Sequence, residues 1–217
     1  MTMIKERLNQ IRVPGKMGKK KTALILAGVF IIGMALGSFS KWLDCLELNG
    51  GIWWHRLIET FDLGNFFSDF AVWLLAALAI AVFSASARRA ALNVFAFFAG
   101  MCASYHICSI LFGGFNPASY MMFWYGVTLL SPFLAALCWY AKGEGAPAVI
   151  LDIGIIAVFA AACFSIGLFY VSFRGLLYSL VFVGAAAVLY KTPKQLAVSL
   201  FCGFALSFLL CRFLPFG

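Results

Sequence analysis

Seven runs of apolar residues, each close to the length of a bilayer crossing, constrain this chain more than any other feature. A helix needs about 20 mostly apolar residues to cross the hydrocarbon core, where its backbone polar groups must be bonded within the segment. The runs are 22–40, 66–85, 91–112, 119–141, 148–171, 175–190 and 195–213. They predict an all-α fold, a polytopic membrane helix bundle of about seven transmembrane helices. The breaks carry turn and charge signals: Arg88 and Arg89, then Gly113, Gly114, Asn116 and Pro117, then Lys142 to Pro147, then Thr192 and Pro193. The sixth run, 16 residues long, lies near the lower limit for a span and reads as tilted, thinned or re-entrant.

Charge sets the direction of the passes. Only 11% of the 217 residues are charged, against 64% hydrophobic. A water-soluble surface needs more charge than that, so the apolar excess faces the lipid bilayer. The net charge of +8 does not indicate nucleic acid, because seven of the 16 Lys and Arg crowd into the first 21 residues. This divides the chain into a basic cytoplasmic segment, 1–21, and a single transmembrane domain, 22–217. With the N-terminus inside, twelve Lys and Arg fall on the inner side and four on the outer. That bias follows the positive-inside rule and puts the C-terminus outside. The first apolar run is long for a signal peptide and no A-x-A site follows it, so it is expected to be retained.

The longest outer loop predicts an interfacial amphipathic helix over 52–62. Helical spacing groups Trp53, Trp54, Leu57, Ile58 and Phe61 on one face and His55, Arg56, Glu59 and Asp62 on the other. It reads either as a lid over an outward cavity or as a loop hiding its apolar side chains at the bilayer surface. His55 is expected to face water or to pair with Glu59.

Ionisable groups inside spans are costly and mark candidate sites. There are three: Asp69, His106 and Asp152. Depth along the helices brings Asp69 and His106 to the outer half, where a carboxylate and an imidazole would form a ligand or proton site. The bland reading is an interhelical hydrogen bond. Trp53 and Trp54 would complete such a binding site from above. Asp152 belongs to the inner side, with Asn93, Arg88 or Arg89 as expected neighbours. Cys102 and His106 share a helix face, but two ligands do not make a zinc site, so no metal and no cofactor is expected. The seven cysteines contain no C-x-x-C and read as buried apolar residues, with Cys45 and Cys211 the one pair placed for a disulfide.

Packing signals lie in two spans. Gly33 and Gly37 form a G-x-x-x-G that lets another helix approach closely, from within the chain or from a partner membrane subunit. Pro132 should kink the fourth span and free a carbonyl near Thr128. Neither G-x-S-x-G nor H-E-x-x-H is present, nor an internal repeat.

Several runs resemble a family of small multi-pass membrane proteins from Gram-positive bacteria, defined by a domain of unknown function. They are Ser40–Asp44, Arg89–Phe95 leading into Phe97–Met101 and Ser104–His106, Phe115–Tyr120 with Trp124, and Ser131–Ala135 leading into Trp139–Gly143. The likeness covers roughly 22–145. It implies a bacterial cell membrane location and brings no activity. It also implies a second aromatic where this chain has His106, a departure that weakens a catalytic role there. In size and span number the chain is similar to the substrate-binding membrane subunits of vitamin importers, which dock through small residues on a first span. The expected function is a small-molecule binding or transport component. The alternative is a non-catalytic membrane protein acting through helix partners, and an enzyme comes third.

Overall fold

A computed structural model describes residues 2–113, 118–167 and 170–211, with the backbone alone described at 2–5 and 7. The loop signals at Gly114, Asn116 and Pro117 and the outer charge Arg212 lie outside those residues. All seven apolar runs contain a helix. An N-terminal helix α1 (Thr2–Ile11) precedes α2 (Lys19–Asp44), and the outer loop holds α3 (Trp53–Thr60) and α4 (Leu63–Ser68). Then follow α5 (Phe70–Phe83), α6 (Ala87–Leu111), α7 (Ala118–Ala141) and α8 (Gly145–Cys163). A hairpin of β1 (Phe164–Ile166) and β2 (Val171–Phe173), paired antiparallel, leads to α9 (Leu176–Leu189) and α10 (Pro193–Leu210).

Five of these helices, α2, α6, α7, α8 and α10, are long and apolar enough to cross a membrane. The chain is an integral membrane protein. Helices α5 and α9 have 14 residues each. At 1.5 Å per residue they reach about 21 Å, short of a hydrocarbon core of about 30 Å. The expected second span, 66–85, is therefore too long at both ends. Asp69 ends α4 and caps α5 by accepting the Phe70 N–H, so the chain turns where an unbroken helix was expected. At the other end the break falls at Ser84–Ser86, not at Arg88 and Arg89. Ser86 caps α6 through the Arg89 N–H, which leaves both arginines inside the first turns of α6. The expected fifth span, 148–171, is also too long: its last residues belong to the hairpin, not to a helix. The Arg174 guanidinium there donates to the carbonyl of Ala162 at 2.9 Å, next to the end of α8.

Hydrogen bonds gather the helix ends into two groups. On one side Arg12 donates to the carbonyls of Trp139 (2.7 Å) and Val82 (3.0 Å), with its guanidinium 4.4 Å from the Trp139 ring. Arg89 donates to the carbonyl of Met17 at 2.8 Å, and Lys142 to those of Val188 and Tyr190 at 2.6 Å. On the far side Tyr105 and Ser68 both donate to Asp44, and Arg174 pairs with Asp69. The seven apolar helices thus alternate in direction, and α2 runs parallel to α6.

The α2/α6 contact is the tightest of the bundle's seams. A Cβ on Gly33 would stand 2.2 Å from the Phe97 carbonyl oxygen, one on Gly37 2.4 Å from that of Met101, and one on Gly100 2.4 Å from that of Phe30. Backbones approach this closely only where side chains are absent. The G-x-x-x-G face is therefore filled from within the chain. The bundle has two apolar cores, and the first of them borders this seam. One surrounds Trp73, Phe97, Phe98 and Trp139, and the other surrounds Leu78, Ile156, Phe159 and Val181. All seven cysteines, Cys45 and Cys211 included, are free.

Candidate functional site

Asp69 and His106, the two titratable far-side residues expected to meet, are each held by protein partners, and by different ones. Asp69 forms an ion pair with Arg174 at 2.8 Å and accepts the Tyr178 hydroxyl at 2.8 Å. Arg174 also lies over the Tyr178 ring, 4.7 Å from its centre. His106 instead shares a 2.5 Å hydrogen bond between its Nδ1 and the Tyr125 hydroxyl, with the rings stacked. The carboxylate thus ties the start of α5 to the hairpin and α9, while the imidazole joins α6 to α7. Arg174 counted in the sequence only as a loop charge. A lone arginine between two apolar runs, opposite an aspartate, was the available signal for the pair.

The outer helix forms as expected, over Trp53–Thr60, but its faces are used differently. His55 is buried and accepts the Asn49 N–H at 2.7 Å, its ring 3.8 Å from that of Trp54. It neither faces water nor pairs with Glu59, because the loop folds back over it. Trp54 stacks on Trp42, whereas Trp53, Leu57 and Phe61 form the exposed stripe that suits a headgroup layer. Below these elements lies a space of about 20 Å³, between Gly37, Ser40, Trp73, Tyr105 and Trp124. It has room for about one water.

Asp152 is 2% exposed, and its neighbours are not those expected. One oxygen accepts from the Gln195 side chain of α10, and the other has no partner. Burial lowers the Lys142 and Lys191 ammonium groups from their usual range, and the charge of Asp152 acts against that shift in both. Asn93 donates to Ser84 at 3.0 Å, and Arg89 serves the N-terminal segment. Cys102 meets Thr128, so it shares no partner with His106. Among the described residues, no three His, Cys, Asp or Glu converge on a point where a metal would bind.

A larger space lies elsewhere, at mid-bundle. A cavity of about 300 Å³ lies between α5, α6, α7 and α8. Its deep wall is Leu78, Val94, Phe98 and Phe159, all but closed off from solvent. Its rim is Leu134, Leu137 and Ile150, which are 53%, 42% and 67% exposed. The opening is therefore lateral, between α7 and α8, facing what surrounds the bundle. Ser131 contributes the one hydroxyl of the lining, and it is already used. It donates at 2.8 Å to the carbonyl of Thr128, the group that Pro132 leaves without its helical N–H. The freed carbonyl expected from the sequence is thus satisfied locally, and the cavity wall stays apolar. Gly154 faces the same space, and a Cβ there would meet nothing within 4 Å.

None of the lining residues stood out in the sequence as part of a binding site, because lipid-facing and cavity-facing apolar side chains are chemically alike. Neither this cavity nor the small far-side space is lined by Trp53, Trp54, Asp69 or His106. The cavity lining offers one hydroxyl, already bonded, and one thiol, Cys138, among apolar side chains. It can hold an apolar molecule or an apolar chain, and it can exclude water. Compared with protein-family models, with curated proteins and with solved structures, the chain matches none.

Proposed function

We propose that this protein is a small-molecule binding component of the membrane, taking an apolar or amphiphilic ligand from the bilayer through the α7/α8 opening. The observation that carries the reading is the cavity of about 300 Å³ with its lateral mouth. An engineered apolar cavity of about 150 Å³ already binds benzene, so this space suffices for a larger apolar group. Lateral entry keeps such a ligand out of water throughout. The basic residues on the side of Arg12, Arg89 and Lys142 support reading that side as cytoplasmic. Action through a partner helix on the G-x-x-x-G face has less support, since α6 fills that face.

The test is native mass spectrometry of the protein released from nanodiscs. The wild type should carry a bound apolar molecule, and Gly154→Leu should lose it. The substitution adds a side chain where the backbone has room, so the fold survives and the cavity shrinks. A wild type that retains nothing, or a variant that retains it equally, refutes the reading.

A further inference from the structure

A second cavity, of about 200 Å³, opens where α2 and α6 part on the side of the N-terminal segment. The glycine seam holds the two helices together at Gly33, Gly37 and Gly100. Toward their starts the helices separate, and the last turn of α5 lines the space between them. The cavity is divided by chemistry. Ile25, Val29, Ile80 and Phe83 line its apolar part, and Phe83, 74% exposed, stands at the rim. Thr22, Ser84, Arg89 and Asn93 line its polar part. Arg89 spends one N–H on each of the Gly15 and Met17 carbonyls. A guanidinium has five N–H donors, so it keeps capacity for an anion. Lys19, Lys20 and Lys21, all exposed, begin the helix that carries Thr22.

An apolar slot ending in a cationic mouth matches one component of the surroundings, an anionic phospholipid. A zwitterionic lipid would fill the slot but not answer the charge. Basic pockets between helices at a membrane face recognise anionic headgroups in this way. We propose that this cavity binds an anionic phospholipid of the leaflet on the N-terminal side. Arg89 meets the phosphate, and an acyl chain lies between Ile25 and Val29 on one wall and Ile80 and Phe83 on the other. The site is separate from the α7/α8 cavity, and its occupant would tie the N-terminal segment to the bundle.

The experiment titrates the full-length protein in detergent with phosphatidylglycerol or phosphatidylcholine, read by native mass spectrometry. Phosphatidylglycerol should bind more tightly. Arg89→Gln should cut that preference about fivefold, the factor equivalent to about 1 kcal/mol per basic residue near a membrane surface. Because Arg89 also holds Gly15 and Met17, a second variant leaves the cations in place. Ile25→Trp fills the slot and should abolish the tight adduct while Gly154→Leu leaves it unchanged. Equal binding of the two lipids overturns the proposal, as does a tight adduct that survives Ile25→Trp. Displacement by inorganic phosphate alone also overturns it, since the site would then take the ion and not the lipid.

Discussion

Placing an alanine at Gly33 tests the central packing claim, with Gly28 on the same helix as the internal standard. The added Cβ would stand 2.2 Å from the Phe97 carbonyl oxygen, where ordinary contact begins at 3.4 Å. The seam must open by about 1.2 Å, because the atom struck is backbone and cannot rotate away. Gly37 and Gly100 sit in the same seam, where an added Cβ would stand 2.4 Å from the carbonyl oxygen each faces, so the parting is felt along its length. A gap of 0.5–1 Å already forfeits about a quarter to a half of each contact's attraction. The upper end of the overpacking range, about 3 kcal/mol, is therefore appropriate. Replacing a helical glycine by alanine returns about 1 kcal/mol at either position. At Gly28 a Cβ meets nothing within 4 Å, so Gly28→Ala should be stabilising. Gly33→Ala should be destabilising by about 2 kcal/mol, leaving a difference of about 3 kcal/mol, roughly a hundredfold in the unfolding equilibrium. The assay is reversible unfolding in mixed micelles, followed by circular dichroism. If the two variants unfold alike, α6 is not what faces Gly33, and the internal seam is refuted.

Three further outcomes follow from the contacts on the two faces. Asp69→Asn and Arg174→Gln should each destabilise by about 1.5–3 kcal/mol, and the double variant by less than their sum, because both remove one pair that is largely shielded. Additive effects in thermal unfolding would deny the pairing. Tyr125→Phe should shift the nitrogen resonances of the His106 imidazole while ligand retention in the α7/α8 cavity stays unchanged; loss of ligand would put His106 back in the binding site. Arg12→Gln removes the charged donor to the Val82 and Trp139 carbonyls, so tryptic cleavage at Lys16 and Lys19 should quicken while the helical signal persists. Unchanged cleavage would show that the segment is held by other contacts.

Much of the helical framework was legible, because a span is a local property of composition and length. Runs 22–40, 91–112 and 119–141 became α2, α6 and α7 with ends shifted by a few residues. The errors at 66–85 and 148–171 share one cause. Apolarity marks residues that avoid water, but a helix ends where its backbone groups find other partners. Asp69 supplied such a partner within its own residue, and Arg174 supplied one from across the chain to Ala162. The second cannot be read from a window of sequence.

The sites divide in the same way. Asp69 and His106 were found because a titratable group in an apolar run stands out by type, but their partners depend on how helices rotate and which ones touch. A matching depth did not make them neighbours, since Arg174, Tyr178 and Tyr125 come from other elements. The sequence by itself determined that the chain enters a membrane, that its helices alternate, and that Gly33 and Gly37 admit a close neighbour. Only the tertiary structure decided that the neighbour is α6, that the Thr128 carbonyl is answered by Ser131, and that apolar side chains of four helices leave a space between them. A cavity is a failure of surfaces to meet, and that is a property of the packed bundle rather than of any residue in it.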